Sequence, residues 1–389
     1  MTSEPVRSFA SRATDPYERG HDLGTHCAEQ VRGTLRAYAE LWSAYGVTPT
    51  EVRAVGTAVL DPVQVYAPDL RAEMSGIAAG SGLSDWEIGA LNARSELIAL
   101  GDRRLVAAGQ LPGEGAPVWS ECSTLARLDA PPTRARSAGP ITAQTWDWHT
   151  PLAEHWFVWS LRRPDGRLVH TLTEYGIVGK IGIAGHRAAD GAVAHPVSVH
   201  FNALRHCADT GTGGVPVHVV ARRILDEAQS LDDALALAGK AEVTASAAVT
   251  VTAPGGGGWA ASTLELRPGG PSLAPAVDGW LAHTNHFIAP DVPDSEQLST
   301  AVSTTRQRLD RIRRLGAGDT LPDRDDVVAR LATHDLGPRS VCVHGFPDAP
   351  IGQRTATLAV AVTEPADLRL SVHAGKPCEV RRDGWWSSA

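Results

Sequence analysis

The hydrophobic period changes near residue 110, and that change divides the chain into two parts that must fold differently. From about Gly20 to Leu100 apolar residues recur at three- and four-residue steps: Cys27, Val31, Leu35, Tyr38, Leu41 and Trp42, then Leu70, Met74 and Ile77, then Trp86, Ile88, Leu91 and Ile98. This spacing predicts a helical N-terminal segment. Between Ala108 and Gly139 the sequence becomes rich in Gly and Pro, which reads as loop, and Ser120-Glu121-Cys122-Ser123-Thr124 sits inside it.

Beyond the loop the pattern is that of strands. ITAQTWDW and HWFVWSL are followed by a Pro164-Asp165-Gly166 turn and RLVHTLTEYGIVGKIGI, so a hairpin is expected. Two helices are predicted at roughly Pro216 to Gln229 and Leu231 to Lys240, the second capped by Ser230. Strands return at Ala247–Thr252 and Ala260–Arg267, joined by a turn at Gly255–Gly258, and again at Gly279–Phe287. A helix from Thr300 to Leu315 is expected to have Val302, Leu309, Ile312 and Leu315 on its apolar face. Arg306, Arg308, Arg311, Arg313 and Arg314 are assigned to its polar face. The chain ends in a second hairpin around Glu364-Pro365-Ala366-Asp367. Runs of strands alternating with runs of helices, without a strict βαβ rhythm, point to an α+β fold with largely antiparallel sheets.

Composition removes several classes of function. Hydrophobic residues make up 43% and charged ones 21%, which is ordinary for a globular chain and not for a disordered one. The net charge of -8 gives no basic footprint for nucleic acid. No run approaches 18 apolar residues, so no membrane partner is expected. The N-terminus lacks an apolar signal region and reads as cytoplasmic. Five cysteines, Cys27, Cys122, Cys207, Cys342 and Cys378, are widely spaced with no Cys-x-x-Cys pair. No dinucleotide or P-loop glycine motif is present.

Two polar islands interrupt the strands, Gln144-Thr145-Trp146-Asp147-Trp148-His149 and His283-Thr284-Asn285-His286-Phe287. His149, His283 and His286 could serve as zinc ligands, although no His-Glu-x-x-His accompanies them. The islands follow Cys122 in a fixed order with Thr173-Glu174-Tyr175-Gly176-Ile177-Val178-Gly179-Lys180-Ile181-Gly182, Phe201-Asn202-Ala203-Leu204, Ser340-Val341-Cys342 and Gly375-Lys376-Pro377-Cys378. Upstream stand Pro16-Tyr17-Glu18-Arg19-Gly20, Glu73-Met74-Ser75-Gly76 and Leu91-Asn92-Ala93-Arg94-Ser95-Glu96. As an ordered set over nearly the whole chain they resemble the acyl-coenzyme A:6-aminopenicillanic acid acyltransferase family of autoproteolytic Ntn hydrolases.

The resemblance implies an αββα four-layer sandwich of two packed antiparallel sheets, preceded by the helical segment, and a precursor cut between Glu121 and Cys122. Residues 1–121 and 122–389 would then form a heterodimer, with higher oligomers open. The freed α-amine, with a pKa near 7.7–8.0, would act as base for the Cys122 thiol. Asp147 matches the aspartate expected to orient that amine, and Asn285 the amide donor to the oxyanion. Asn202 and Arg306 fall where more distant cysteine Ntn hydrolases carry a second amide donor and an arginine. Trp146, Trp148, Glu174 and Tyr175 are candidates for substrate binding, although Glu174 and Lys180 are equally able to form a structural ion pair. The implied function is amide hydrolysis or acyl transfer through a Cys122 thioester on a small amide, acyl-amine or acyl thioester, including roles in secondary metabolism. No cofactor and no metal are implied, with a coenzyme A thioester as a potential substrate. The alternatives are an uncut, inactive binding protein of the same fold and a metal amidohydrolase built on the three histidines.

Overall fold

A computed structural model describes residues 5–109, 122–133, 137–298, 303–316 and 323–388. In chain order the elements are β1 (Ser8–Ala10), α1 (Pro16–His26), α2 (Ala28–Ala44), α3 (Pro49–Ala58), α4 (Leu60–Tyr66), α5 (Pro68–Ser81), α6 (Asp85–Asn92) and α7 (Arg94–Ala107). There follow β2 (Ser123–Ala130), β3 (Gly139–His149), β4 (Trp156–Arg162), β5 (Leu168–Glu174), β6 (Ile181–Arg187), β7 (Val193–Ala203), α8 (Val217–Glu227) and α9 (Leu231–Ala238). The chain then forms β8 (Ala247–Gly255), β9 (Gly258–Leu266), β10 (Ser272–Pro275), β11 (Trp280–His283), α10 (Thr305–Gly316), α11 (Arg324–Leu331), β12 (Thr355–Glu364), β13 (Arg369–Ala374) and β14 (Trp385–Ser387).

The strands make two sheets, one in the order β1-β4-β5-β6-β7-β8-β9-β10 and one in the order β11-β2-β3-β12-β13-β14. Helices α8 and α9 cover β6 to β9 of the first sheet, and α10 and α11 cover β11, β2 and β3 of the second. The sheets face each other, with β2 against β7 and β9, and β12 and β13 against β6. This is the four-layer αββα sandwich expected from the sequence. Both hairpins fall where the turn residues put them, and Gly256 and Gly257 take positive φ (60° and 85°) in the two-residue turn between β8 and β9. Ser230 caps α9 by accepting from Asp233 N–H.

Two expectations need correction, and one strand is unexpected. Strand β1, which carries no strand signal of its own, adds to the edge of the first sheet parallel to β4. The strand expected over 279–287 stops at His283, because the next residues turn away to bond α10. Helix α10 is described from Thr305, and its Arg308 is fully buried beside Leu309 and Ile312 instead of lying on the polar face.

The N-terminal helices share one hydrophobic core with the first sheet. Their closest joint is the crossing of α1 on α5, where Gly20 and Gly24 face Gly76 and Gly80. A Cβ at Gly20 would sit 2.0 Å from Glu73 O, and one at Gly76 2.1 Å from Tyr17 O. The two backbones touch, so any side chain there forces them apart. In an ordinary helix Gly→Ala gains up to about 1 kcal/mol, whereas Gly76→Ala is expected to lose about 1–3 kcal/mol through overpacking, seen as a lower urea midpoint.

Burial also sets a pH dependence. His149, His200 and His286 are pushed down to about 3 and His170 to about 4, in each case chiefly by burial. The unfolded chain takes up these protons near pH 6.5 and the folded chain does not, so stability falls as pH drops from about 6.5 towards about 4. Unfolding titrations at pH 7.5, 6 and 5 should show a falling urea midpoint, and calorimetry at pH 5 should show net proton uptake on unfolding.

Candidate active site

Cys122 stands immediately before β2 and is buried, with its thiol 3.7 Å from the carbonyl oxygen of Asp147. Its neighbour Glu121, and so the expected cut, lies at and beyond the edge of the described residues. β2 pairs with β3, so Ser123 lies opposite Thr145 and Thr124 opposite Gln144. This register brings the first polar island of the sequence alongside Cys122. Burial, and after it the Asp147 carboxylate, push the Cys122 thiol up to about 11, against the pull of Lys180 and Arg308. The resting thiol is therefore protonated near neutral pH.

Asp147 is fully buried on β3. Its Oδ1 accepts from Thr357 Oγ1 at 2.5 Å across the β3–β12 pair, and its Oδ2 from Thr145 Oγ1 at 3.4 Å. Asn202, on β7 of the other sheet, accepts at Oδ1 from Thr124 Oγ1 at 2.8 Å, while its buried Nδ2 has no hydrogen-bond partner among the described residues. Gln144 bolts the two sheets together nearby, donating from Nε2 to Phe201 O (2.5 Å) and accepting at Oε1 from Phe201 N–H (3.0 Å).

The second polar island approaches from β11. His283 bonds Glu265 at 2.8 Å, and the same carboxylate accepts from the backbone N–H groups of Ile288 and Ala289. Thr305 at the start of α10 accepts from Asn285 N–H (2.8 Å) and bonds His286 Nδ1 (2.9 Å). These contacts fix Asn285. Its Nδ2 donates to Ala203 O at 2.9 Å, and its Oδ1 accepts from Arg308 Nη2 at 3.1 Å. His149 lies apart, 3.4 Å from the Tyr45 hydroxyl. The three histidines thus do not meet as a ligand set.

Arg306 does not reach this region. Its side chain is exposed on α10 and pairs with Asp294. The arginine that does reach it is Arg308, which donates from Nη1 to Cys122 O and to Ser123 Oγ, both at 2.8 Å. The helical period held the signal: Arg308 falls within the stripe of Thr305, Leu309 and Ile312, whereas Arg306 is a quarter turn away.

Glu174 is also placed otherwise than as a substrate ligand. It is fully buried between Lys180 Nζ (3.2 Å) and Arg94 (3.1 Å) and accepts a hydrogen bond from the Tyr38 hydroxyl. Burial alone would raise its carboxyl, but Arg94 and Lys180 outweigh it and hold the group below the usual range. Burial drives Lys180 down to about 7 against the pull of Glu174. Lys180 Nζ lies 3.3 Å from the ring centre of Trp146, and Arg94 lies over Trp148 at 4.0 Å. Trp148 donates to Tyr38, and Tyr175 stacks on Phe157 at 4.4 Å. Trp146, Trp148 and Tyr38 form the wall of the ionic cluster, whereas the Tyr175 hydroxyl bonds Arg7. Thr357, the partner of Asp147, instead faces a cleft of about 700 Å³ lined by Trp156, Ala356, Leu358, Arg7 and Lys376.

No helix among the described residues is long and apolar enough to cross a membrane. The chain is 25% identical over 243 residues to the 40 kDa form of acyl-coenzyme A:6-aminopenicillanic-acid-acyltransferase from Emericella nidulans, an overlap of 61% of this chain and 62% of that protein. It thus spans less than two thirds of that relative's length. Among solved structures it is similar to a Caenorhabditis elegans orthologue of N-acylethanolamine-hydrolyzing acid amidase, at 13% identity and a TM-score of 0.40, covering 69% of this chain and 100% of that one. It is also similar to penicillin V acylase from Agrobacterium tumefaciens, at 14% identity and a TM-score of 0.35, covering 65% and 83%. The family model for acyl-coenzyme A:6-aminopenicillanic acid acyl-transferase matches residues 134–379, well over half the sequence, in a stretch that begins after Cys122. By that match, the chain belongs to the acyl-coenzyme A:6-aminopenicillanic acid acyl-transferase family.

Proposed function

We propose that this chain is a self-processing cysteine amidohydrolase or acyltransferase of the Ntn type, which carries an acyl group on Cys122 and passes it to water or a small amine. The observation that carries this reading is Asn202. A buried donor left without an acceptor costs about 1–3 kcal/mol, and its Nδ2 is held in that state by a hydrogen bond from Thr124, two residues from Cys122. A donor kept unsatisfied against this point of β2 suits a negative charge that exists only during reaction.

The chemistry begins with attack of the Cys122 sulfur on the carbonyl carbon of Glu121. The Glu121–Cys122 bond breaks, the α-amino group of Cys122 is released, and water hydrolyses the resulting thioester to leave residues 1–121 with a new carboxyl end. In the mature protein the α-amine takes the thiol proton as the sulfur attacks a substrate carbonyl. It returns the proton to the departing amine or thiol, leaving the acyl thioester. A thiol raised to about 11 needs such a base at the moment of attack. Asp147 orients the amine, Asn202 donates to the oxyanion, and Arg308 positions the Cys122 carbonyl. Asn285, whose amide is already engaged with Ala203 and Arg308, acts through Arg308. The name of the fungal relative supports an acyl thioester as the donor.

Intact mass of freshly purified protein should show two fragments, the second beginning at Cys122, and Cys122→Ala should remain one chain. An uncut, active wild-type chain would sink the reading. Asn202→Ala is expected to lower kcat by about 10²–10³ with little change in KM, while Arg306→Ala stays within a few-fold of wild type. Cleavage of a chromogenic amide should rise with pH and level off above about 8 as the amine loses its proton.

A further inference from the structure

Four side chains with no part in that chemistry converge around the loop that bonds Thr357 at the start of β12. His334, Cys342, His344 and Cys378 present their nitrogen and sulfur atoms within 4.8 Å of one another. Cys342 Sγ is 3.5 Å from Cys378 Sγ and 3.5 Å from His344 Nε2. Cys378 Sγ is 3.4 Å from His344 Nε2, which is 3.0 Å from His334 Nε2. A tetrahedron around zinc, with Zn–S near 2.3 Å and Zn–N near 2.0–2.1 Å, has edges of about 3.8 Å (S to S), about 3.6 Å (S to N) and about 3.4 Å (N to N). The four edges given above are each within a few tenths of an ångström of these, and the two from His334 to the sulfurs lie within 4.8 Å. We propose that these four residues form a structural zinc site.

The donor set argues for the metal. Two thiolates and two imidazoles suit zinc and exclude magnesium and calcium, which take oxygen. Two thiolates balance the two positive charges, so the ion adds no net charge at a site near the surface. Four protein ligands leave no open position for water, which makes the site structural and not catalytic. Binding forms two Zn–S and two Zn–N bonds and releases the two thiol protons to solvent, with no change in oxidation state.

The position gives the metal a task. Val343, between two of the ligands, donates its N–H to Thr357 Oγ1 (3.1 Å) and accepts at its carbonyl from Thr357 N–H (3.0 Å). Thr357 in turn bonds Asp147. Cys378 sits in the turn Pro377–Glu379, and Lys376 and Glu379 on either side of it line the cleft. The ion would tie the loop behind Asp147 to the wall of the cleft. It would also account for the motifs around Cys342 and Cys378, which the reaction at Cys122 leaves without a role.

The test is metal analysis of the full chain purified in reductant without chelator. About one zinc per chain is expected, released when a mercurial titrates the thiols, and replaceable by cobalt with the visible spectrum of a tetrahedral thiolate complex. Because His334 and Cys378 are exposed, His334→Gln and Cys378→Ser should fold, as read by circular dichroism, and lose the zinc. Cys122→Ala should keep it, so this result is independent of the reaction at Cys122. Protein that stays metal-free when offered zinc in reductant overturns the proposal. So does retention of zinc by a Cys342→Ser/Cys378→Ser double variant, or a Cys342–Cys378 disulfide, seen as two hydrogens missing from the mass of metal-free protein.

Discussion

The burial of the Glu174 carboxylate constrains the rest of the molecule. An ion enclosed by protein is tolerable only while its partners stay in place, and removing one partner of such a pair typically costs about 3–5 kcal/mol. Its partners come from both parts of the chain: Tyr38 and Arg94 from the N-terminal helices, Lys180 from the end of the loop that follows β5. Arg19, Glu73, Arg222 and Asp226 repeat the arrangement, joining α1 and α5 to α8 with no exposed member. Asn92 adds a third tie by bonding Gly176 O and Val178 N–H. The helical segment is thereby bound to the sandwich by charge as well as by apolar packing.

Between the two sheets the interior is unusually polar. Gln144 spans the gap to Phe201, His200 reaches Thr363, Thr142 lies against Thr252, and Thr124 holds Asn202. Most of these groups have partners, because an unmet one costs more than it could return elsewhere, and among the described residues the exceptions include Ser198 Oγ, Trp146 Nε1 and Asn202 Nδ2. Of these, Asn202 is the one tied to β2, through Thr124 two residues after Cys122.

Much of this architecture was legible in the sequence because it rests on local signals. The Pro-Asp-Gly and Gly-Gly turns fixed two hairpins, and Ser230 marked the start of α9. What escaped reading depends on partners far away in the chain. β1 is a strand only because β4 offers an open edge. Arg308 reads as solvent-facing by its charge, although the helical period places it with Leu309 and Ile312, and Arg306 is the exposed one. Glu174 was legible as one half of a pair with Lys180, but not its second partner Arg94, which lies 80 residues upstream. The meeting of His334, Cys342, His344 and Cys378 depends on a loop and a C-terminal turn whose spacing matches no familiar ligand pattern.

The clamp of Arg308 on the Cys122 carbonyl and the Ser123 hydroxyl has a mechanical consequence. A chain end ordinarily frays, and its last residues sample many positions. Here the residue after any break before Cys122 is already pinned, on one side by β3 and on the other by an arginine that is itself sealed from water. Such an end would behave like the cut end of a tensioned cable gripped just behind the cut, free to lose what lay in front of it while the sulfur keeps its address.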